Sequence, residues 1–175
     1  GTPSTMGHSV DEIDWSKPIQ DYYVNRMIAQ NTGAFGDPSD FYLILHKTYN
    51  GALINDHFIF GTISAIRGGT GAWNRKVLID VDTASAYNSN RAIIESKFEN
   101  WKLVTLTYSG EQYFALKPVV SSVLSDLEFT GRAYAADGEL LKLVAPGSVS
   151  SVSDYQSTEP VTINGNVGIG TTEPG

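Results

Sequence analysis

The chain has 175 residues, with 19 acidic against 12 basic side chains, a formal net charge of −7 and no cysteine. The length fits one domain with appended segments, and the missing thiols exclude a disulfide framework, a thiolate nucleophile and zinc–thiolate ligation. With no Lys/Arg cluster to supply phosphate affinity and no apolar run long enough for a bilayer, neither nucleic-acid binding nor membrane insertion is expected.

Residues 1–17, opening "GTPSTMGHS", read as a flexible leader in which His8 carries little weight. "PIQDYYVNRMIAQN" (18–31) is one of two stretches with room for a short helix. The other is "VVSSVLSDL" (119–127), whose valines and serines suit an extended connection equally well. Between them the sequence is strand-rich. "FYLILHKTY" (41–49) is dense in aromatic and branched residues and bounded by turn formers. "HFIFGTISAIR" (57–67) ends in the breaker "GGTG". In "KVLIDVDTA", Val77, Ile79, Val81 and Thr83 fall on one face and Leu78, Asp80 and Asp82 on the other, which predicts a half-buried strand. Ser109-Gly110 and Asp137-Gly138 each separate two apolar runs and predict two tight hairpins. Turn signals about every ten residues point to an all-β sandwich or barrel rather than a βαβ fold, and the expectation taken forward is an antiparallel, jelly-roll-like β-sandwich over 18–146. From Ala145 the Ser/Pro/Gly-rich "APGSVSSVSDYQSTEP" reads as a linker leaving the domain, so the boundary is set near Pro146 and 147–175 stands apart from the head.

The candidate chemistry is thin. Asp80 and Asp82 could hold a hard cation, but a solvated strand face explains them as well. His46 and His57 could approach one another if their strands are neighbours, and one histidine per chain around a three-fold axis would supply three metal ligands; a lone imidazole on the surface or in the core is the simpler account. No G-x-S-x-G elbow exists and no carboxylate pair announces a glycosidase. Neither catalytic residue, metal nor cofactor is therefore expected. Recognition residues are easier to find. In "RGGTGAWNRK", Trp73 flanked by Asn74 and Arg75 offers an apolar plate with hydrogen-bonding neighbours, as a sugar ring requires, although Trp73 could equally tuck under its loop or sit at a subunit contact. Tyr49 with Asn50, and Tyr87 with Asn88, add the Tyr-plus-amide pairing that suits adaptable binding loops. Trp101, beside Leu103, is assigned to the core.

The end of the chain raises a separate question. Val161, Ile163, Val167 and Ile169 share one face of a glycine-rich extended segment that is too thin to bury itself, so either it folds back as an edge strand or three copies complete one another around an axis. "NGNVGIGTTEP" (164–174) resembles the G-N-V-G-I-G-T-T-x-P segment of viral and phage tail fibres and related appendage proteins, where it leads into a trimeric stalk or an endosialidase-type intramolecular chaperone. The resemblance covers about eleven residues. It implies a homotrimer on a virion or extracellular appendage surface, whose globular head binds a host surface glycan or protein receptor. A glycan-degrading tailspike-type domain and a non-binding spacer are the alternatives, and the missing β-helical repeat argues against a depolymerase body.

Overall fold

The computed structural model describes residues 23–29, 41–67, 76–98, 100–119, 124–160 and 162. They form ten strands: β1 (Tyr23–Ala29), β2 (Tyr42–Lys47), β3 (Ile54–Arg67), β4 (Lys76–Tyr87), β5 (Ser89–Phe98), β6 (Trp101–Tyr108), β7 (Glu111–Pro118), β8 (Leu124–Ala135), β9 (Lys142–Val144) and β10 (Val149–Asp154). Two antiparallel sheets pack as a sandwich, one ordered β1-β8-β3-β4-β5 and the other β10-β6-β7-β2-β9, with β9 only a three-residue strip. Among the described residues the one helical element is a 3-10 turn, Pro146–Ser148, and no helix is long and apolar enough to cross a membrane.

The alternation expected of β4 is present: Val77, Ile79, Val81 and Thr83 are buried and face the core. They meet Ile59 and Ile63 of β3, Leu127, Phe129 and Ala133 of β8, and from the opposite sheet Leu43, Leu45, Leu103, Phe114 and Leu116. Trp101 is in this core as expected, its ring 5.8 Å from that of Phe41. The second sheet is apolar on its other face too, where Ile44, Val104, Leu106, Tyr113, Ala115 and Val144 form a separate buried cluster.

Three expectations need correction. The helix placed over 18–31 gives way to β1 across 23–29, which pairs antiparallel with β8, Tyr23 opposite Arg132; helix propensities in this stretch are close to neutral, and the open edge of β8 supplies a full ladder of backbone partners. Asp137-Gly138 turns the chain, with Gly138 at φ 73°, but not as a hairpin. β8 belongs to the first sheet and β9 to the second, so the turn carries the chain across the sandwich and drives Leu141 into the core. The segment after Pro146, expected as a linker, runs along the domain: β10 pairs with β6, Tyr155 N–H donates to Leu103 O at 2.9 Å, and the Tyr155 ring meets Phe114 edge-on at 4.8 Å. The Ser109-Gly110 hairpin forms as expected, both residues at positive φ. In the 119–127 stretch, β8 begins at Leu124 and residues 120–123 lie outside the described ones.

Backbones approach most closely where Gly61 of β3 faces Gly131 of β8 over the Phe129 ring. A Cβ on Gly61 would lie 2.4 Å from Thr130 O and 2.7 Å from Gly131 Cα, where neither atom is free to move aside. Gly61→Ala is expected to lower stability by about 3 kcal/mol, the upper end of what overpacking costs. Gly147→Ala, whose added carbon meets nothing within 4 Å, should shift the urea midpoint by less than about 0.5 kcal/mol equivalent.

Candidate functional site

One end of the sandwich gathers the buried polar side chains His46, Thr48, His57, Thr83 and Ser85. A register shift in β2 between Ile44 and His46 leaves Leu45 as the extra residue, so that Leu45 and His46 are both fully buried. A bulge of this kind re-aims a side chain, and here it aims His46 between the sheets. β2 and β3 are in different sheets, yet the rings of His46 and His57 stack across the interior with centroids 6.1 Å apart. His46 Nδ1–H donates to Lys47 O at 2.8 Å, and Nε2 accepts from the Thr83 hydroxyl at 2.9 Å. His57 Nδ1 lies 2.7 Å from Asn55 O, and its Nε2 lies 3.1 Å and 3.2 Å from the carbonyl and carboxylate of Asp137. Every ring nitrogen thus has an oxygen partner within the chain, and among the described residues no three His, Asp or Glu side chains are grouped to hold a metal ion.

Asp137 also binds Lys47 at 3.5 Å, and Lys47 reaches Glu111 at 3.2 Å. Burial works against the Lys47 ammonium, but the two carboxylates outweigh it and hold its pKa above the ordinary value. Beside this cluster the Thr48 hydroxyl donates to Gln112 Oε1 at 3.0 Å.

The outermost layer at this end contains four of the seven sequence-predicted recognition residues. The β4–β5 hairpin closes with Ala86 opposite Ser89, leaving Tyr87 and Asn88 as a two-residue loop. Tyr87 is at φ 52°, a conformation that suits glycine better, and the residue is 73% exposed. The chain leaving β2 through Tyr49 and Asn50 is fastened to that hairpin by one side chain, Asn90. Its amide nitrogen donates to Tyr49 O at 2.8 Å, while its carbonyl accepts from Tyr49 N–H at 2.9 Å and from the Ser85 hydroxyl at 2.7 Å. Tyr49 is half-buried; Asn50 and Asn88 are exposed. Trp73, Asn74 and Arg75 lie outside the described residues, as does 163–175. Arg67 and Lys76, which flank the "GGTGAWNR" stretch, stand at the end of β3 and β4 opposite Tyr87.

Sequence reasoning missed Asn90 and Asp137 as organisers. Asn90 sits in an ordinary polar run, and only the strand pairing shows that its amide matches both backbone groups of Tyr49. Of the two carboxylates singled out on β4, Asp80 is engaged, accepting from Thr62 at 3.0 Å and Lys97 at 2.6 Å, while Asp82 is exposed. A groove of about 250 Å³ runs elsewhere, between Ile94, Trp101, Lys102 and Tyr155.

No protein-family model, no curated protein and no solved structure matches this chain. Its functional reading therefore rests on its own residues.

Burial lowers the His46 pKa from 6.5 to about 4, with His57 adding to the effect. Between those values the unfolded chain binds more protons than the folded one, so stability rises with pH there and is lost as pH falls from 6.5 towards 4. The change should amount to about 3 kcal/mol. In urea unfolding at stepped pH, His46→Gln is expected to flatten the wild-type slope across this window.

Proposed function

We propose that this chain is the receptor-binding head of a homotrimeric tail fibre, on a virion or comparable extracellular appendage, attaching it to a host cell-surface glycan or protein. The observation that carries the reading is the Asn90 clamp, which makes one surface out of two loops distant in sequence and presents two tyrosines and two asparagines from it. Such a surface has aromatic area at low conformational cost and amides that adapt to varied hydrogen-bonding partners. Nothing in that role requires a reaction. The residues 164–174, with their resemblance to the fibre segment that leads into a stalk, support the trimer. The nested pairings β1–β8 and β2–β7 support a jelly-roll-like description of the head.

Adhesion through three identical heads needs little from each one. Weak single-site contacts become firm attachment when three engage together, because the second and third bind at high effective concentration. Light scattering on a size-exclusion column should give three times the 19.0 kDa chain mass, and a mass of one chain at high concentration would overturn the trimer. Asn90→Ala should retain the β circular dichroism and bind host cells about tenfold more weakly, equivalent to about 1.4 kcal/mol. Undiminished binding would remove the loop pair from the receptor surface.

A further inference from the structure

The outer face of the first sheet can be read row by row from the strand registers. Thr62 lies between Asp80 and Thr130, and Thr62, Asp80 and Lys97 satisfy one another. The next row differs. Phe60 stands directly between Asp82 of β4 and Arg132 of β8, with Ile93 beyond Asp82. Phe60 is 59% exposed in the middle of a strand, where burial is the rule for an aromatic. Asp82 and Arg132 are exposed as well, and neither makes a hydrogen bond or ion pair among the described residues. In the following row Phe58 and Tyr134 form an aromatic pair, centroids 6.3 Å apart, that backs the platform on one side.

We propose that Phe60, Asp82 and Arg132 form a binding platform for a neutral hexopyranose ring of a glycan. Neighbouring strands are about 4.8 Å apart, which puts the carboxylate and guanidinium bases roughly 10 Å apart with the phenyl midway. That interval accommodates one sugar ring and its equatorial hydroxyls. The C–H face of a pyranose lies on the phenyl as on any apolar plate. Its hydroxyls, each both donor and acceptor, meet a pure acceptor on one flank and a five-donor fork on the other. Both contacts are charge-assisted, the stronger class of hydrogen bond. The two charges cancel, so the platform attracts neither anions nor cations over distance. A hydroxyl-bearing neutral ring uses both flanks, whereas an apolar partner would leave two charged groups desolvated and unpaired. This inference goes beyond the loop surface and rests on the adhesion reading for the class of partner. It is a different surface from the Tyr49–Tyr87 loops, lying five residues along β4 from Tyr87, or about 17 Å.

The test is an amide NMR titration of the full chain with four methyl pyranosides, of glucose, mannose, galactose and N-acetylglucosamine, each into the tens of millimolar. At least one should move the amides of Phe60, Asp82 and Arg132 with millimolar affinity. Phe60→Ala and Asp82→Asn, both exposed positions, should weaken it at least tenfold while leaving distant amides unshifted. Silence towards all four sugars overturns the platform, as does binding that survives Phe60→Ala. Self-association abolished by Phe60→Ala overturns it too, assigning the face to contact between copies. Host-cell binding by the trimer separates the two proposals: cell binding without any glycoside response removes the platform alone, and a platform response without cell binding removes the attachment role.

Discussion

The apposition of Gly61 and Gly131 fixes the register of β3 against β8 at the centre of the first sheet. With no side chain on either, the backbones of β3 and β8 close over the Phe129 ring, and any other pair would hold the strands apart. A slip of one residue would carry the apolar set of β3, Ile59 and Ile63, to the solvent side and turn Phe60 inward. The close approach allows only the observed pairing, which places Phe60 beside Arg132 and, through β4, beside Asp82. The inward set of β3 and the row that holds Phe60 thus follow from one contact between two residues that have no side chains.

What could be read from the sequence was what local patterning dictates. β4 was legible because its alternation is strict and one face is wholly apolar. The Ser109-Gly110 turn was legible because glycine at the second loop position takes the positive φ that a tight hairpin requires. Edge elements were not. β10, "VSSVSD", is almost entirely exposed and holds its place through backbone pairing to β6, to which composition is blind. β1 has apolar residues at spacings that fit a helix as well as a strand, and the choice was made by the free edge of β8. Asp137-Gly138 signalled a turn correctly, but a turn does not say which sheet the chain enters next. That depended on Leu141 finding the core.

The candidate loops show the same division. Tyr49, Asn50, Tyr87 and Asn88 were recognisable as types suited to binding, whereas their meeting at one end of the sandwich required the register of β4 with β5 and the reach of Asn90. His46 and His57 were visible as the histidines of the domain, but their stacking across the interior depended on a bulge that no spacing announces. Buried imidazoles with all nitrogens partnered act as cross-links between the sheets at the end where the loops need a firm base. Phe60 was read only as one more apolar residue in a strand, because exposure is a property of the assembled sheet.

The segment from Val149 to Pro160 has a mechanical consequence. Tension applied to the chain beyond this segment would reach first the forked Arg91–Glu159 pair, 2.9 and 3.0 Å long, then the Tyr155 ring wedged against Phe114, and only then the β10–β6 ladder. Arg91 is on β5 of one sheet and β6 belongs to the other, so the pull is divided between both layers. The edge strand β10 is thus not loaded until its ties to β5 and to Phe114 have been drawn tight.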